Sequence, residues 1–185
     1  VVGGVARVRE QLGGVDILVN VAGILSNNKC LETSAEEWRK VHAVNHDGAF
    51  YLSKACLPHM KAGGYGHIVN MSPPINPHSV MHTAYTISKW GMTIVALGVA
   101  AELRGKGIAA NTLWPATVIE SLESKNFQLG TPAMWRKATI LADCVGPSAQ
   151  PCTHPRSTRS TPTHTHHTHH THLPAHPAHP PIHPA

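Results

Sequence analysis

The sequence predicts an α/β fold, a parallel sheet with helices on both faces, followed by a disordered carboxyl-terminal tail. Short apolar runs alternate with long helical patterns, and this alternation is typical of parallel strands joined by crossover helices. The composition also changes abruptly near Gly146, and ten of the 16 histidines lie beyond that point. We therefore predict one domain over residues 1–145 and a disordered, Pro/His/Thr-rich tail over residues 146–185.

Three apolar runs, at residues 15–20, 67–72 and 108–114, are the predicted strands. Glycine or proline residues bound them, and each run is nearly continuous in apolar residues, as expected of strands buried on both faces. Ligands bind beyond the carboxyl ends of such strands. The polar residues of interest are therefore Asn20, Ser72 and the segment after Trp114.

The helices follow from periodicity and capping signals. The first dozen residues are the end of an amphipathic helix that stops at Gly13. Ser34 and Glu37 have the Ser-x-x-Glu form of a capping box and begin a long helix that runs to about residue 60. A second long helix is predicted over about 83–104, with shorter helical segments around 117–125 and 132–143.

Charge and cysteine usage exclude several classes of function. The formal net charge is +5, but the basic residues are scattered singly, so no nucleic-acid partner is predicted. No apolar run approaches the roughly 20 residues of a membrane span. The four cysteines lack paired spacing, which favours free thiols. We expect an intracellular, cytoplasmic protein.

Tyr85 and Lys89 are four residues apart on a predicted helix, so both project from one face. A nearby ammonium favours phenolate, and Lys89 is therefore expected to lower the pKa of Tyr85 from its usual value of about 10. Tyr85 is then suited to give a proton to a carbonyl oxygen or to remove one from an alcohol. The same spacing is also typical of an ordinary surface pair on a helix.

Other motifs accompany this pair in a fixed order. Asn-Val-Ala-Gly stands at residues 20–23, after the first predicted strand, and Asn45 lies in the first long helix. Ser72 lies 27 residues after Asn45 and 13 before Tyr85. With these motifs the sequence resembles the short-chain dehydrogenase/reductase family. The resemblance implies a Rossmann-type fold and a catalytic tetrad of Asn45, Ser72, Tyr85 and Lys89.

The resemblance also implies a role for each member of the tetrad. Tyr85 exchanges the proton, Lys89 also binds the nicotinamide ribose, and Ser72 donates a hydrogen bond to the substrate oxygen. Asn45 holds a water that relays protons from the lysine. The residues alone leave two alternatives open, since Asn45 also suits an exposed polar position and Ser72 a turn before two prolines.

The implied cofactor is NAD or NADP, and the implied substrate is a small-molecule carbonyl/alcohol pair. Asn20 is expected to tie the central strands together and to border the cofactor. Ala116 stands where the family has glycine, so the backbone is less free to approach the nicotinamide. The cofactor-binding residues carried over are Asn20, Ala22, Gly23, Tyr85, Lys89, Pro115 and Thr117.

Three segments, at residues 70–74, 84–92 and 111–117, look like the hydroxysteroid dehydrogenase-like branch of the family. They imply oxidation or reduction of a lipid-like or steroid-like substrate. A complete family member begins with a strand and a Thr-Gly-x-x-x-Gly-x-Gly turn that receives the pyrophosphate. Because the sequence has no such run, we expect a partial fold that lacks the first three strands, binds cofactor poorly and is inactive alone.

Two other functions stay open at this point. One is a non-catalytic dimerisation module, because family members commonly form homo-oligomers through the helices predicted around 34–60 and 83–104. The other is metal binding by the tail, where six histidines lie between His164 and His172. Neutral imidazoles bind Zn, Ni or Cu, whereas a disordered tract without cysteine or carboxylate partners usually has no selected metal function. We assign no metal-ligating residue.

Overall fold

The computed structural model describes residues 1–74, 76 and 82–148. Helices and strands alternate along this part of the chain, and each strand lies within two residues of its predicted bounds. The elements are α1 (Val2–Leu12), β1 (Ile17–Asn20), α2 (Ala35–His42), a π-helical turn (Ala43–Asp47), α3 (Gly48–Gly63), β2 (Gly66–Met71), α4 (Thr83–Glu102), β3 (Ile108–Leu113), α5 (Leu122–Asn126), a 3-10 turn (Pro132–Met134) and α6 (Thr139–Ser148). The tail was predicted over residues 146–185, and its part after residue 148, with the histidine run, lies outside the described residues.

The sheet consists of three parallel strands in the order β1-β2-β3. Its register pairs Asn20 with Asn70 and Asn70 with Thr112. Because the strands run in one direction, their carboxyl ends meet at one edge, and the loops that follow them begin side by side. The predicted parallel α/β architecture is confirmed.

The helices α3 and α4 pack on one face of the sheet, where α3 contacts β1 and β2 and α4 contacts β2 and β3. Their apolar side chains form one core with those of the strands, because burial removes this surface from water. The core cluster comprises Val5, Cys56, Met60, Ile68, Ala96, Leu103, Ile108 and Ala110. The sequence also predicts helices on the opposite face of the sheet. On that face the described helices do not cover β1 fully, and the side chains of Ile17 and Val19 are 41% and 38% exposed.

The single helix predicted over residues 34–60 is interrupted, and that prediction is wrong in this respect. α2 ends at His42, and the π-helical turn over Ala43–Asp47 precedes α3. A π turn inserts extra chain into a helix and is frequent at functional sites. It contains Asn45, whose side chain is fully buried.

Ser34 begins α2 as predicted, since its side chain accepts a hydrogen bond from the backbone N–H of Glu37 at 3.0 Å. The Glu37 carboxylate does not complete the capping box. It accepts hydrogen bonds from Ser26 and Asn28 instead, both at 2.7 Å. These bonds lower the pKa of Glu37 and anchor the loop after β1 to the start of α2.

The segment after β3 is less helical than the sequence predicts. Ser121 caps α5 and delays its start, while Ile119 forms a parallel bridge with Arg136. Where one helix was predicted over 132–143, the structure has the 3-10 turn and then α6. α6 ends at Ser148 and therefore crosses the boundary predicted between residues 145 and 146.

Candidate active site

The residues singled out by the sequence follow the strands at one edge of the sheet. Asn20 ends β1, Ser72 directly follows β2, and Trp114 directly follows β3. α4 carries Tyr85 and Lys89 in its first two turns. The strand ends and the start of α4 together form the site.

A cavity of about 320 Å³ lies at this edge. Six of the predicted site residues form part of its wall: Gly23, Ser72, Tyr85, Lys89, Pro115 and Thr117. Asn45 reaches the same region from behind, since a Cβ built on Gly23 would lie 3.2 Å from Asn45 Oδ1. Asn20 and Ala22 are not part of the wall.

Lys89 is buried, with only 7% of its surface exposed. Its Nζ donates a hydrogen bond to the backbone carbonyl of Met71 at 3.1 Å. Burial lowers the pKa of Lys89, because an ammonium loses hydration there, and the Glu123 carboxylate opposes this shift. Nζ also donates a hydrogen bond to Met92 Sδ at 3.6 Å, so one of the three hydrogens of the ammonium remains for a ligand.

The pKa of Tyr85 is shifted in the direction opposite to the prediction. Burial, with a smaller contribution from the Glu123 carboxylate, raises the pKa of Tyr85 to about 12. The expectation that Lys89 lowers this pKa is therefore wrong for the chain alone. Desolvation penalises the phenolate, and it also weakens the neighbouring cation by lowering the pKa of Lys89. Tyr85 consequently holds its proton at neutral pH.

Asn45 ties the loop after β1 to α4. Its Oδ1 accepts a hydrogen bond from the backbone N–H of Ile24 at 2.8 Å. Its Nδ2 donates to the Ile24 carbonyl at 3.0 Å and to Ser88 Oγ at 2.9 Å. Both amide hydrogens are thus used within the protein, and the alternative of an exposed polar position is excluded.

A second pair of amides joins the strands to α4. Asn20 Nδ2 donates to Asn70 Oδ1 at 2.8 Å, and Asn70 Nδ2 donates to the Met92 carbonyl at 2.8 Å. The expectation that Asn20 ties the central strands together is confirmed. Asn20 Oδ1 is buried without a hydrogen-bond partner among the described residues.

Ser72 is fully buried and is bonded to two other elements. Its Oγ lies 2.7 Å from Thr93 Oγ1 of α4, and Trp114 Nε1 donates to it at 3.1 Å. In the part of the chain that the structure describes, no hydrogen bond joins Ser72 to Tyr85, although both side chains line the cavity. Ser72 is therefore held by side chains on α4 and after β3.

Sequence reasoning missed Thr93 and Glu123. Thr93 lies four residues after Lys89 on α4, and this helical spacing would have placed it on the same face. Glu123 lines the cavity and shifts the pKa values of both Tyr85 and Lys89. It lies in a short helix after irregular chain, where no periodic pattern marks it.

Comparison with known proteins gives a family match. The family model described as short chain dehydrogenase matches residues 1–128. The chain is 41% identical over 143 residues to hydroxysteroid dehydrogenase-like protein 2 of Rattus norvegicus, covering 75% of this chain and 27% of the relative. The human protein of the same name is 40% identical over 145 residues, with 75% and 34% covered. The chain thus spans about a quarter to a third of the length of these relatives.

Solved structures agree with this match. A short chain dehydrogenase from Mycobacterium thermoresistibile is 36% identical with a TM-score of 0.72, covering 80% of this chain and 54% of that one. A metagenomic short-chain oxidoreductase in complex with NADP is 33% identical with a TM-score of 0.60, covering 64% and 55%. The resemblance to the family and to its hydroxysteroid dehydrogenase-like branch, seen first in the motifs, is confirmed.

Proposed function

This chain belongs to the short-chain dehydrogenase family, and from that premise we propose that it interconverts a carbonyl and a secondary alcohol, using NAD or NADP. One observation carries the proposal: Tyr85, Lys89 and Ser72 line a single cavity at the strand ends. A phenol and a buried amine on the wall of one cavity are an arrangement suited to proton transfer to a substrate oxygen.

Tyr85 is the proposed acid and base. Because its pKa is about 12, the phenol is protonated at neutral pH and suited to donate a proton to a carbonyl oxygen. In the opposite direction the phenol must lose its proton, and burial makes that loss harder because it raises the pKa of Tyr85. Glu123 also opposes the loss, since its carboxylate raises the pKa of Tyr85.

Ser72 and Asn45 complete the proposed tetrad. The Ser72 hydroxyl donates a hydrogen bond to the substrate oxygen and fixes it beside the phenol. Asn45 holds the loop that contains Gly23 close to Lys89, through its bonds to Ile24. Its proposed relay of protons from Lys89 through a water rests on the family resemblance.

The nicotinamide cofactor would accept or supply the hydride. One observation fits it: Gly23 leaves open a space at the cavity wall where a Cβ would lie 3.0 Å from Lys89 Nζ. The structural relative in complex with NADP supports a dinucleotide, while the choice between NAD and NADP stays open. The residues proposed to hold it are Asn20, Ala22, Gly23, Tyr85, Lys89, Pro115 and Thr117.

The proposed substrate is lipid-like or steroid-like. Much of the cavity wall is apolar, and an apolar wall favours an apolar substrate. The names of the relatives, hydroxysteroid dehydrogenase-like protein 2, support the same class. The apolar residues are Val21, Ile24, Met71, Pro73, Pro115, Val118, Ile119, Leu129 and Leu141.

The test replaces the phenol by Tyr85→Phe in a polypeptide that joins a pyrophosphate-binding turn and its strands to Val1. We expect NADPH oxidation with a hydrophobic ketone to fall at least about 100-fold, because general acid catalysis contributes on that order. A titration with NADPH, on this chain and on the longer polypeptide, measures cofactor binding separately.

Tyr51→Phe is the matched control, because Tyr51 is 53% exposed and is not part of the cavity wall. It should leave the rate unchanged. A longer polypeptide that neither binds NADPH nor loses activity on Tyr85→Phe contradicts the proposed function.

A second candidate function is a dimerisation module. A groove of about 910 Å³ runs between α3 and α4, away from the strand ends, and Phe50, Ile94 and Val99 lie in its mostly apolar wall. We propose a second copy of this chain as its occupant. Lys54 on α3 and Glu102 on α4 line the same groove, and a two-fold interface between identical surfaces can pair such opposite charges.

Two further predictions stay untested. Among the described residues, no helix is long and apolar enough to cross a membrane, and the cytoplasmic location remains a proposal. Metal binding by the histidines between His164 and His172 concerns residues outside the described part of the chain.

A further inference from the structure

Ser72, Thr93 and Trp114 form a compact hydrogen-bonded cluster behind the cavity. Ser72 Oγ and Thr93 Oγ1 are 2.7 Å apart, and Trp114 Nε1 lies 3.1 Å from the first and 3.4 Å from the second. The Ser72 side chain is fully buried, and Thr93 is only 2% exposed. Three elements therefore meet at one buried pair of hydroxyl groups.

The cluster has three polar hydrogens, and it cannot use all of them internally because two hydroxyl groups form only one hydrogen bond with each other. An indole N–H only donates, whereas each hydroxyl has one hydrogen and accepts through its oxygen. Trp114 uses its hydrogen on the pair, and one hydroxyl hydrogen forms the bond between Ser72 and Thr93. One hydroxyl hydrogen is left without an acceptor inside the cluster.

The position of this surplus hydrogen depends on which hydroxyl donates to the other. If Ser72 donates to Thr93, the surplus hydrogen lies on Thr93, which is not part of the cavity wall. If Thr93 donates to Ser72, the surplus hydrogen lies on Ser72, which is part of that wall. Because a buried donor without an acceptor is costly, a ligand oxygen in the cavity favours the second arrangement.

We infer that Thr93 and Trp114 are positioning residues: both donate to Ser72 Oγ when substrate binds and so direct the Ser72 hydroxyl hydrogen to the substrate oxygen. Accepting two hydrogen bonds also polarises the Ser72 hydroxyl and strengthens it as a donor. The inference rests on the proposed function, because it explains how Ser72 performs the role proposed for it there.

The first test follows the indole hydrogens of the chain by NMR. The chain has four tryptophans, and Trp114→Phe identifies the signal of Trp114. We expect Ser72→Ala to move this signal upfield and to speed its exchange with solvent, and Thr93→Val to cause a smaller change in the same direction. The signal of Trp38, on α2, serves as the internal reference. A Trp114 signal that is identical in the wild type and in Ser72→Ala overturns the inference.

The second test measures turnover in the longer polypeptide used for the proposed function. Thr93→Val keeps the shape of the side chain but removes its donor, and we expect kcat to fall about tenfold, the effect of one hydrogen bond in the transition state. Thr93→Val should leave the Kd for NADPH constant, and Thr93→Ser, which keeps the hydroxyl, should retain the wild-type kcat. Trp114→Phe should also lower kcat, whereas the control Trp38→Phe should not. In the Ser72→Ala background, Thr93→Val should cause no further loss, because its target is gone.

The two failures are distinguishable. If Tyr85→Phe retains activity, the proposed function fails. If Tyr85→Phe and Ser72→Ala strongly lower activity while Thr93→Val and Trp114→Phe match the wild type, only the positioning role fails. A loss on Thr93→Val that persists equally in the Ser72→Ala background also overturns the inference, because it indicates a structural role.

Discussion

Tyr85 and Lys89 illustrate how burial controls ionisation at the level of single residues. Both side chains lie at the cavity, and burial shifts each toward its neutral form, raising the pKa of the phenol and lowering the pKa of the amine. The Glu123 carboxylate raises both pKa values, so it holds the proton on Tyr85 and the charge on Lys89. The site is thus prepared to give a proton rather than to take one.

The first prediction concerns stability at alkaline pH. The pKa of Tyr85 is about 12 in the folded chain, against an ordinary value of 10.0. The folded protein therefore keeps the phenolic proton over a range in which the unfolded chain has lost it. The resulting contribution to stability, on the order of 3 kcal/mol, is complete below pH 10 and is lost as the pH rises through 12. Urea unfolding between pH 9 and 12 should show this loss in the wild type and in Tyr51→Phe, but not in Tyr85→Phe.

The second prediction concerns Glu123. Removing its charge with Glu123→Gln should lower the pKa of Tyr85 toward its ordinary value, because the carboxylate raises it. Ultraviolet difference titration of the phenols measures this pKa. Glu120→Gln is the control, since the Glu120 carboxylate pairs with Lys125 at 2.9 Å and is not part of the cavity wall. Equal titration curves for the wild type and Glu123→Gln would show that the carboxylate lies too far away to act.

Helical spacing was enough to place Tyr85 and Lys89 on one face, but not to predict the direction of their pKa shifts. Those shifts depend on burial and on Glu123, which approaches from a segment distant in sequence. Local periodicity carries no information about such a contact. The motif order likewise identified Ser72, while its bonds to Thr93 and Trp114 required the helix and strand to be packed together.

At the level of elements, the turn between α4 and β3 requires glycine for two separable reasons. Gly105 and Gly107 both have positive φ angles, of 76° and 74°, which L side chains rarely adopt. A Cβ on Gly107 would also lie 2.2 Å from the backbone carbonyl oxygen of Gly64, whereas a Cβ on Gly105 would meet nothing within 4 Å. Gly107 thus permits the close approach of the two chain segments that precede β2 and β3.

The third prediction uses this difference. Gly105→Ala should cost about 1–2 kcal/mol of unfolding free energy, the penalty for a left-handed residue with a side chain. Gly107→Ala should cost about 1–3 kcal/mol more, because its Cβ would clash with the Gly64 carbonyl and push the two backbone segments apart. That displacement would weaken the hydrogen bond from the Gly66 N–H to the Gly107 carbonyl. Urea unfolding at neutral pH measures both values. If the two variants lose similar amounts of unfolding free energy, the chain segments around Gly64 and Gly107 move apart at little cost and the prediction is wrong.

The sequence predicted most accurately the helices and strands whose ends carry a local signal. Ser34 and Gly13 marked helix ends, and prolines marked the ends of two strands, because capping and φ restriction act locally. The π-helical turn was missed because the apolar spacing of Val41, Val44 and Phe50 continues across it. The side chain that it turns inward, Asn45, is bonded to the distant Ile24 and Ser88. α5 was misjudged for a similar reason, since the bridge from Ile119 to Arg136 is a tertiary contact.

At the scale of the whole molecule, α3 and α4 each contribute to the core with one face and to an exposed groove with the other. Their inner faces form the core against the sheet, while Phe50 and Ile94 on the outer groove are 45% and 60% exposed. Large exposed apolar patches typically mark interaction sites. The family resemblance predicts homo-oligomerisation through these two helices, and the apolar groove supports that prediction.

The fourth prediction follows from symmetry. In a two-fold interface the same residue is present twice, so replacing Ile94 by glutamate removes two buried side chains and introduces two charges. Since burying one such side chain contributes about 1.5–3 kcal/mol, the dimer should weaken by at least about 100-fold in Kd. Sedimentation velocity over a range of concentrations should find dimers for the wild type and monomers for Ile94→Glu. Leu31→Glu, at a fully exposed position outside the groove, should still dimerise, which separates the groove from a general effect of added charge. A wild-type chain that stays monomeric at high concentration would leave the exposed face of α3 and α4 to a different partner and rule out self-association through it.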